Sequence, residues 1–394
     1  MPRSNPGSAR TVLDPIRRFV DLEAAGGVVL LAAVVVAVAW ASSPWSTGYH
    51  VLWTIDLGPA DLRHWVDDGL MTLFFFVIGL EVRRELADGR LSTLRAAAVP
   101  AVGALGGMVV PALLYLAFNA GGTGARGWGI PMATDVAFAL GVLALLGDRV
   151  PPGLGALLLG LAVVDDIGAI VVIAAFYSDG LSAGWGALAL AGLVGVVGLR
   201  RLGVRSIAAY VALGLVVWWA TWQSGVHATI AGVALGLLTP ARPLAGEPAD
   251  APSVAQRLQD RLHPWTTFLV VPVFALAGAG VPLSASALGD AASSPVALGV
   301  GVGLVVGKLV GVAGAIALAV RFGRARLPDG VGAGHVVGLG AVAGIGFTVS
   351  LFVTGLAFDD ATLVDEAKVG ILVGSIVAAG LGSTILLRAS PGRS

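Results

Sequence analysis

The chain has 394 residues, 57% of them hydrophobic and only 12% charged, with 57 glycines and a formal net charge of zero. Soluble domains carry roughly 25% charged residues, so this composition is that of an integral membrane protein, and the charge balance implies no nucleic-acid partner. The absence of cysteine excludes disulfides, thiolate catalysis and cysteine-ligated metals, and five scattered histidines without an HExxH pattern offer no zinc site.

At the N-terminus, Arg3, Arg10, Arg17 and Arg18 precede an apolar stretch from Ala24 to Ala41, and Ala39-Trp40-Ala41 resembles a cleavage site. The stretch exceeds the roughly 7 to 15 apolar residues of a signal sequence, and Asp21 and Glu23 sit at its mouth, so an uncleaved first span is expected. Segments long enough to cross about 30 Å of hydrocarbon as helices fall at 20–41, 65–82, 95–118, 127–147, 152–177, 181–199, 206–221, 224–239, 263–282, 296–320, 331–358 and 367–387. The expectation is an all-α membrane protein of twelve spans forming a single transmembrane domain over residues 1–394. Threading the spans alternately puts 20 of the 24 lysines and arginines on one side. By the positive-inside rule that side, and both termini with it, is cytoplasmic.

Two polar stretches are more than tight turns. Residues 43–64 contain the alternating run Tyr49, Val51, Trp53, Ile55, which reads as a small external hairpin near 46–60. Residues 240–262, rich in Pro, Ala and charge, read as a cytoplasmic linker between two groups of spans. The fourth span is interrupted at GIPMATDVAF, where Pro131 cannot donate a backbone bond, and the eleventh at AVAGIGFTVS, where Gly344 and Gly346 loosen the helix. These spans are an odd number apart and so cross in opposite directions. That is the pattern of inverted-topology repeats built from spans 3–5 and 10–12, with discontinuous helices 4 and 11 crossing at the midplane.

Few ionisable groups fall well within the membrane: Asp135 in span 4, Asp165 and Asp166 in span 5, and Lys308 in span 10. An acid near the bilayer centre costs about 2.5 to 3.5 kcal/mol, so these groups must satisfy one another or bind something. The lysine pairs with one carboxylate, which leaves the other acids needing a proton or a cation. Adjacent helical residues point about 100° apart, so one of Asp165 and Asp166 faces an ion path while its neighbour faces a partner such as Lys308. A hard monovalent cation takes oxygen ligands, and Asp166, Asp165 and the Thr134 hydroxyl are the available set for Na+. Proton and cation then compete for the same oxygens, which, with alternating exposure of the site, is sufficient for exchange. Thr134-Asp135 also reads as an ordinary N-cap of the second half of a broken helix.

Farther out, span 2 carries Asp68 and ends in GLEVRREL, with Glu81, Arg83, Arg84 and Glu85 at its cytoplasmic end, a charged vestibule or an interfacial anchor. His227, opening span 8, can switch charge near neutral pH or simply hydrogen-bond in the packing. A sodium-coupled solute symporter of similar fold would need an organic-solute pocket, and no arginine lies in the core spans to hold an anion. An intramembrane aspartyl hydrolase would need two facing carboxylates such as Asp135 and Asp166, a reading that Lys308 and the broken pair of helices oppose.

The stretches ATDVAFALG (133–141), LAVVDDIGAI (161–170), GLEVRREL (79–86), SGVHATIAG (224–232), LHPW (262–265), GKLVG (307–311) and GIGFTVSLF (344–352) together resemble the NhaA-type sodium/proton antiporters of bacterial inner membranes, in order and over essentially the whole chain. That family is itself a standing example of inverted repeats with a midplane site. The resemblance implies an electrogenic, pH-activated exchanger, not an enzyme, that extrudes Na+ or Li+, imports more than one H+ per ion and needs no cofactor. It implies that Asp166 and Asp165 bind the ion and carry protons, with Lys308 paired to Asp165. Thr134 and Asp135 would support the helix crossing, Glu81 and Glu85 the pH-responsive entrance, and Asp68 and His227 secondary modulation. A homodimer contact would be expected at 46–60. The chain departs from the family pattern before His263: where an acid followed by a histidine is implied, it reads Leu258-Gln259-Asp260-Arg261. That departure bears on the activation pH and leaves the ion site untouched.

Overall fold

A computed structural model describes residues 25–390 except 88–93, 179, 181, 205, 244–247, 249–250, 283 and 324–325. The N-terminal arginines, Asp21, Glu23, Arg90, Arg205, Arg324 and Arg393 lie outside the described residues. What is described is helical, as lipid demands, because an α-helix satisfies its backbone hydrogen bonds within its own segment. Among the described residues no strand forms, and one isolated antiparallel bridge joins Asp56 and Asp61.

In chain order, α1 (Ala25–Ala41) is followed after a bend of 116° by α2 (Ser46–Trp53). A short helix, α3 (Leu62–His64), runs through a π turn at Trp65–Leu70 into α4 (Met71–Ala87). Next come α5 (Leu94–Asn119), a 3-10 segment (Thr123–Met132), α6 (Val136–Leu146), α7 (Pro152–Phe176), α8 (Ala183–Arg201), α9 (Ile207–Gln223) and α10 (Thr229–Leu238). The second part holds α11 (Val254–Trp265), a π turn at Thr266–Val270, α12 (Val271–Gly278), α13 (Ala285–Ser293), α14 (Pro295–Val302), a π turn at Gly303–Gly307 and α15 (Lys308–Arg321). It closes with α16 (Ala333–Val342), α17 (Phe347–Ala357) and α18 (Ala361–Ala389). Five of these helical stretches are long and apolar enough to cross a membrane on their own, and up to eight if each sharply bent pair counts as one.

Two expectations are corrected. The stretch expected as a hairpin near 46–60 is helical at 46–53. Its buried residues, Tyr49 and Trp53, are four apart, and Val51 and Ile55, which strand alternation would place with them, are exposed. The Tyr49 hydroxyl sits 2.8 Å from the Leu276 carbonyl and 3.0 Å from that of Ala277, and accepts from the Gly280 amide at 3.1 Å, so α2 closes over the end of α12. The linker expected over 240–262 turns helical at Val254, where the Ser253 hydroxyl caps the Gln256 amide. From there α11 is continuous with the ninth span, and Gln259 is buried against the Arg84 guanidinium.

Helices α5 and α15 meet backbone to backbone. A Cβ on Gly106 would lie 2.2 Å from the Gly311 carbonyl oxygen, and one on Gly311 would lie 2.2 Å from that of Gly106, so both positions are closed to any side chain. Small residues let membrane helices meet backbone to backbone. Here the contact stands one turn from Lys308.

The Tyr49 contacts predict that Tyr49→Phe, which removes one hydroxyl and strands the Gly280 amide, lowers stability by about 1 to 3 kcal/mol. Thermal unfolding in detergent would detect it, with Val51→Thr, at an exposed position, as the neutral comparison; equal melting temperatures for all three proteins would refute the assignment.

Candidate ion-binding site

The site is built where two helices fail. The 3-10 segment and α6 meet at 43° across residues 133–135, and α16 and α17 meet at 46° across residues 343–346. Ala133 and Asp135 are extended, and the Asp135 amide donates to the Ile345 carbonyl at 2.6 Å, so one interruption bonds to the other. A Cβ on Gly344 would come within 2.3 Å of the Leu304 carbonyl oxygen, and one on Gly346 within 2.6 Å of the Leu304 side chain. Gly344 is therefore required by proximity, whereas a side chain at Gly346 would have to displace the Leu304 and Ser350 side chains.

Each interruption exposes amide and carbonyl ends that nothing in an apolar interior would satisfy. Asp135, buried at 3% exposure, meets the amide ends. Its Oδ1 accepts from the Phe138 amide at 3.1 Å, and its Oδ2 accepts from the Thr348 amide at 3.1 Å and hydroxyl at 2.7 Å. The capping reading of Asp135 thus holds, and it extends to a second helix: one carboxylate sits at the N-termini of α6 and α17, where negative charge is favoured. Ser350 donates to the Ile130 carbonyl at 2.7 Å, and the Ser375 hydroxyl accepts from the Gly346 amide at 3.3 Å.

Lys308, fully buried, donates from Nζ to Asp165 Oδ2 at 2.7 Å and to Thr134 Oγ1 at 3.0 Å. Thr134 passes its own hydrogen to the Ala343 carbonyl at 3.0 Å, at the C-terminal end of α16. The ammonium and the threonine together face a helix C-terminus, as Asp135 faces two N-termini. Asp165 Oδ1 is buried without a hydrogen-bond partner.

Asp166 points elsewhere. It is half-buried and lines a cavity of about 90 Å³ together with Thr134, Asp135, Glu81, His263 and Thr348. At about 10 to 15 Å³ per water, that is room for several waters or a partly hydrated ion. The divergence of neighbouring helical residues therefore assigns the two acids different surroundings, Asp165 the lysine and Asp166 the cavity. Among the described residues no group of three or more His, Asp or Glu comes together as a metal cluster.

The remaining residues singled out in the sequence are dispersed. Glu81 lines the cavity, whereas Glu85, one turn farther along α4, is not among its walls. Asp68 lies in the π turn before α4, its carbonyl accepting from Trp218 Nε1 at 3.0 Å. His227 Nε2 is 2.6 Å from the Tyr177 carbonyl, which can only accept, so this nitrogen carries a hydrogen. The Tyr177 hydroxyl in turn bonds the 3-10 segment at Arg126 and Gly129. Sequence reasoning missed Thr348, Ser350 and Ser375. For the first two, a signal was present in hydroxyls placed just after the Gly344/Gly346 break; for Ser375 there was none.

An apolar helical bundle with two broken helices abutting around buried carboxylates and a lysine has the construction of a secondary ion transporter, a class for which NhaA-type proteins are a defining example. Residues 17–386 match the family model described as Na+/H+ antiporter 1. The chain is 50% identical to the Na(+)/H(+) antiporter NhaA of an Acidovorax species over 93% of this chain and 90% of that protein. It is 48% identical to the Na(+)/H(+) antiporter NhaA of Mesorhizobium japonicum over 95% and 94%. It is 45% identical to Na(+)/H(+) antiporter NhaA 2 of Sorangium cellulosum over 98% and 93%. The chain belongs to this Na+/H+ antiporter family.

Removing one member of a buried ion pair costs about 3 to 5 kcal/mol, because the survivor is left charged and unpaired. Lys308→Met is therefore expected to destabilise the protein by that order, and Lys308→Met with Asp165→Leu to recover most of the loss. The melting temperatures of the three proteins in detergent test this, and a double variant no more stable than the single one would refute it.

Proposed function

We propose that this protein is a twelve-span secondary transporter that exchanges cytoplasmic Na+ or Li+ for external H+, moving more than one proton per ion, in a bacterial inner membrane with both termini cytoplasmic. The observation that carries the reading is the separation of the two acids: Asp166 open to the cavity, Asp165 held by Lys308.

In this reading Asp166 is the exchange ligand. With Na+ bound, its carboxylate, the oxygens of Thr134 and the adjacent Asp165 supply the coordination; without it, Asp166 takes a proton to remain tolerable in a poorly solvated wall. Trading one Na+ for one proton at Asp166 is electroneutral. The additional proton comes from the Asp165–Lys308 pair, which titrates as a unit, so charge moves with each cycle. Thr134 and Asp135 support the helix crossing by balancing its helix ends, and the crossing relates the inverted repeats of spans 3–5 and 10–12 at the midplane.

Glu81 in the cavity wall and Glu85 beyond it form the pH-responsive entrance on the arginine-bearing side. The stretch Leu258-Gln259-Asp260-Arg261, which departs from the family pattern and holds Gln259 against Arg84, shifts the pH at which that entrance responds. Asp68 and His227 modulate transport from the opposite side. A homodimer contact is proposed at residues 46–60, made by the helix at 46–53 and its flanking turns. Sodium export against proton import serves sodium and pH homeostasis, and no cofactor is required.

The test is proton flux in respiring inverted vesicles, adding NaCl, LiCl and KCl across a pH series to the unmodified protein and to Asp166→Asn. Dissipation of the proton gradient by Na+ and Li+, lost in the variant, is the expected result. Silence toward every cation at every pH would defeat the proposal and bring back the sodium-coupled symporter.

A further inference from the structure

A 3-10 helix rarely runs beyond about three or four residues, because its hydrogen bonds are poorly aligned. The segment Thr123–Met132 keeps that form for ten residues, with Pro131 removing one more donor, so it needs support from outside itself. The support comes as hydroxyls from three helical stretches. Tyr115 of α5 donates to the Gly124 carbonyl at 2.7 Å, and Ser350 of α17 donates to the Ile130 carbonyl at 2.7 Å. Tyr177, the residue that ends α7, makes two bonds: it donates to the Arg126 carbonyl at 2.7 Å and accepts from the Gly129 amide at 3.1 Å. All three side chains are buried, at 0% to 1% exposure.

Tyr177 differs from the other two in the element it stands on. The same helix carries Asp165 and Asp166, and Tyr177 follows Asp166 by eleven residues, about 16 Å along the axis. Thr134 lies five residues past Gly129, in the break to which the gripped segment leads. Of the side-chain oxygens assigned to the cation, the carboxylates thus belong to α7 and the hydroxyl belongs to the chain that the end of α7 holds. The packing around Tyr177 fits this grip. A Cβ on Gly129 would lie 2.7 Å from the Tyr177 hydroxyl, so the absence of a side chain there lets the hydroxyl reach the backbone. Trp128 meets Phe176 edge to face, with ring centroids 5.1 Å apart, and His227 Nε2 holds the Tyr177 carbonyl from the start of α10 at 2.6 Å.

We propose that Tyr177 is a positioning residue for the exchanged cation, its two hydrogen bonds to the 3-10 segment setting where the Thr134 oxygen stands relative to the carboxylates of α7. The proposal rests on the reading of Asp166, Asp165 and Thr134 as the Na+ ligands. A ligand set drawn from two elements matches its ion only as well as the spacing between those elements is fixed. Partners outside the coordination shell that orient ligands in this way change ion affinity by about 10- to 100-fold when removed.

The test is Na+ affinity of the full chain in detergent by titration calorimetry, with the melting temperature in the absence of Na+ measured alongside. Tyr177→Phe removes both hydroxyl bonds and keeps the ring, and is expected to weaken Na+ binding about tenfold. Tyr210→Phe removes a hydroxyl bond to the Val204 carbonyl at 3.0 Å, remote in the chain from the ion ligands, and is expected to leave the affinity unchanged whatever it does to the melting temperature. A Tyr177→Phe protein that melts earlier yet binds Na+ as the unmodified protein does would show a structural role alone and overturn the proposal. Should that variant lack a cooperative melting transition, Gly129→Ala, which drives a methyl group onto the same hydroxyl, takes its place with the same expected loss, and unchanged affinity there overturns the proposal equally. Asp166→Asn separates this inference from the reading it rests on. Binding that survives Asp166→Asn but weakens in Tyr177→Phe would remove Asp166 from the ion site and keep the positioning role, and the reverse pair of results would do the opposite. An unmodified protein that binds neither Na+ nor Li+ would remove both.

Discussion

The pairing of Lys308 with Asp165 at full burial constrains everything around it. Neither charge tolerates an apolar membrane interior alone, and even together they are stabilising only if the remaining polar valences are met. That demand fixes the neighbourhood. The lysine stem reaches Asp165 because α5 and α15 touch through Gly106 and Gly311, a contact that any side chain at either position would push apart. Its second proton goes to Thr134, whose backbone lies in the extended break between the 3-10 segment and α6. A continuous helix there would spend the same residues on regular packing, so the break and the ion pair require each other.

Helix geometry then separates two roles within adjacent residues. Asp165 and Asp166 differ by about 100° around α7. One is consumed by the lysine and the other meets the cavity. One turn of backbone thus gives adjacent acids different surroundings, a lysine for Asp165 and a cavity for Asp166, at no cost in fold. Asp135 solves the corresponding problem for the backbone. By accepting from Phe138 and Thr348 it supplies one negative charge to two helix N-termini, leaving the opposite helix ends to Lys308 and Thr134.

Much of this was legible in the amino-acid sequence because lipid makes charge conspicuous. Four ionisable residues in apolar runs, and glycines and a proline in mid-span, identify the elements of the site without any contact being known. The α2 segment was not legible. Tyr49, Val51, Trp53 and Ile55 alternate like a strand, and only the packing of Tyr49 and Trp53 over α12 reveals the four-residue spacing that the fold uses. The first turns of α11 were hidden for a related reason: a charged amphipathic run beside prolines reads as a linker until the partner of its buried face, Arg84 on α4, is known. Thr348, Ser350 and Ser375 were obscured because a hydroxyl in an apolar helix usually bonds back to its own turn. Thr354 does so here, onto the Ser350 carbonyl, whereas Ser350 itself reaches across to Ile130.

The same bonds limit how the site can change its exposure. The two broken helices are tied by the Asp135 amide to Ile345, by the Asp135 carboxylate to Thr348, by Thr134 to Ala343 and by Ser350 to Ile130. Severing them would leave several polar groups unsatisfied in a buried setting, at about 1 to 3 kcal/mol each. The aromatic contacts among α4, α12 and α17 have no such bonds to lose, since rings exchange partners at the cost of packing alone. The π turns at Trp65–Leu70 and Thr266–Val270 lie in the helical stretches leading to Phe75 and Phe274, placing backbone irregularity near the two rings that pack on Phe352 of α17. The crossing is therefore the most tightly tied part of the site, and the ring contacts of Phe75 and Phe274 with Phe352 along its wall are the ones least costly to rearrange.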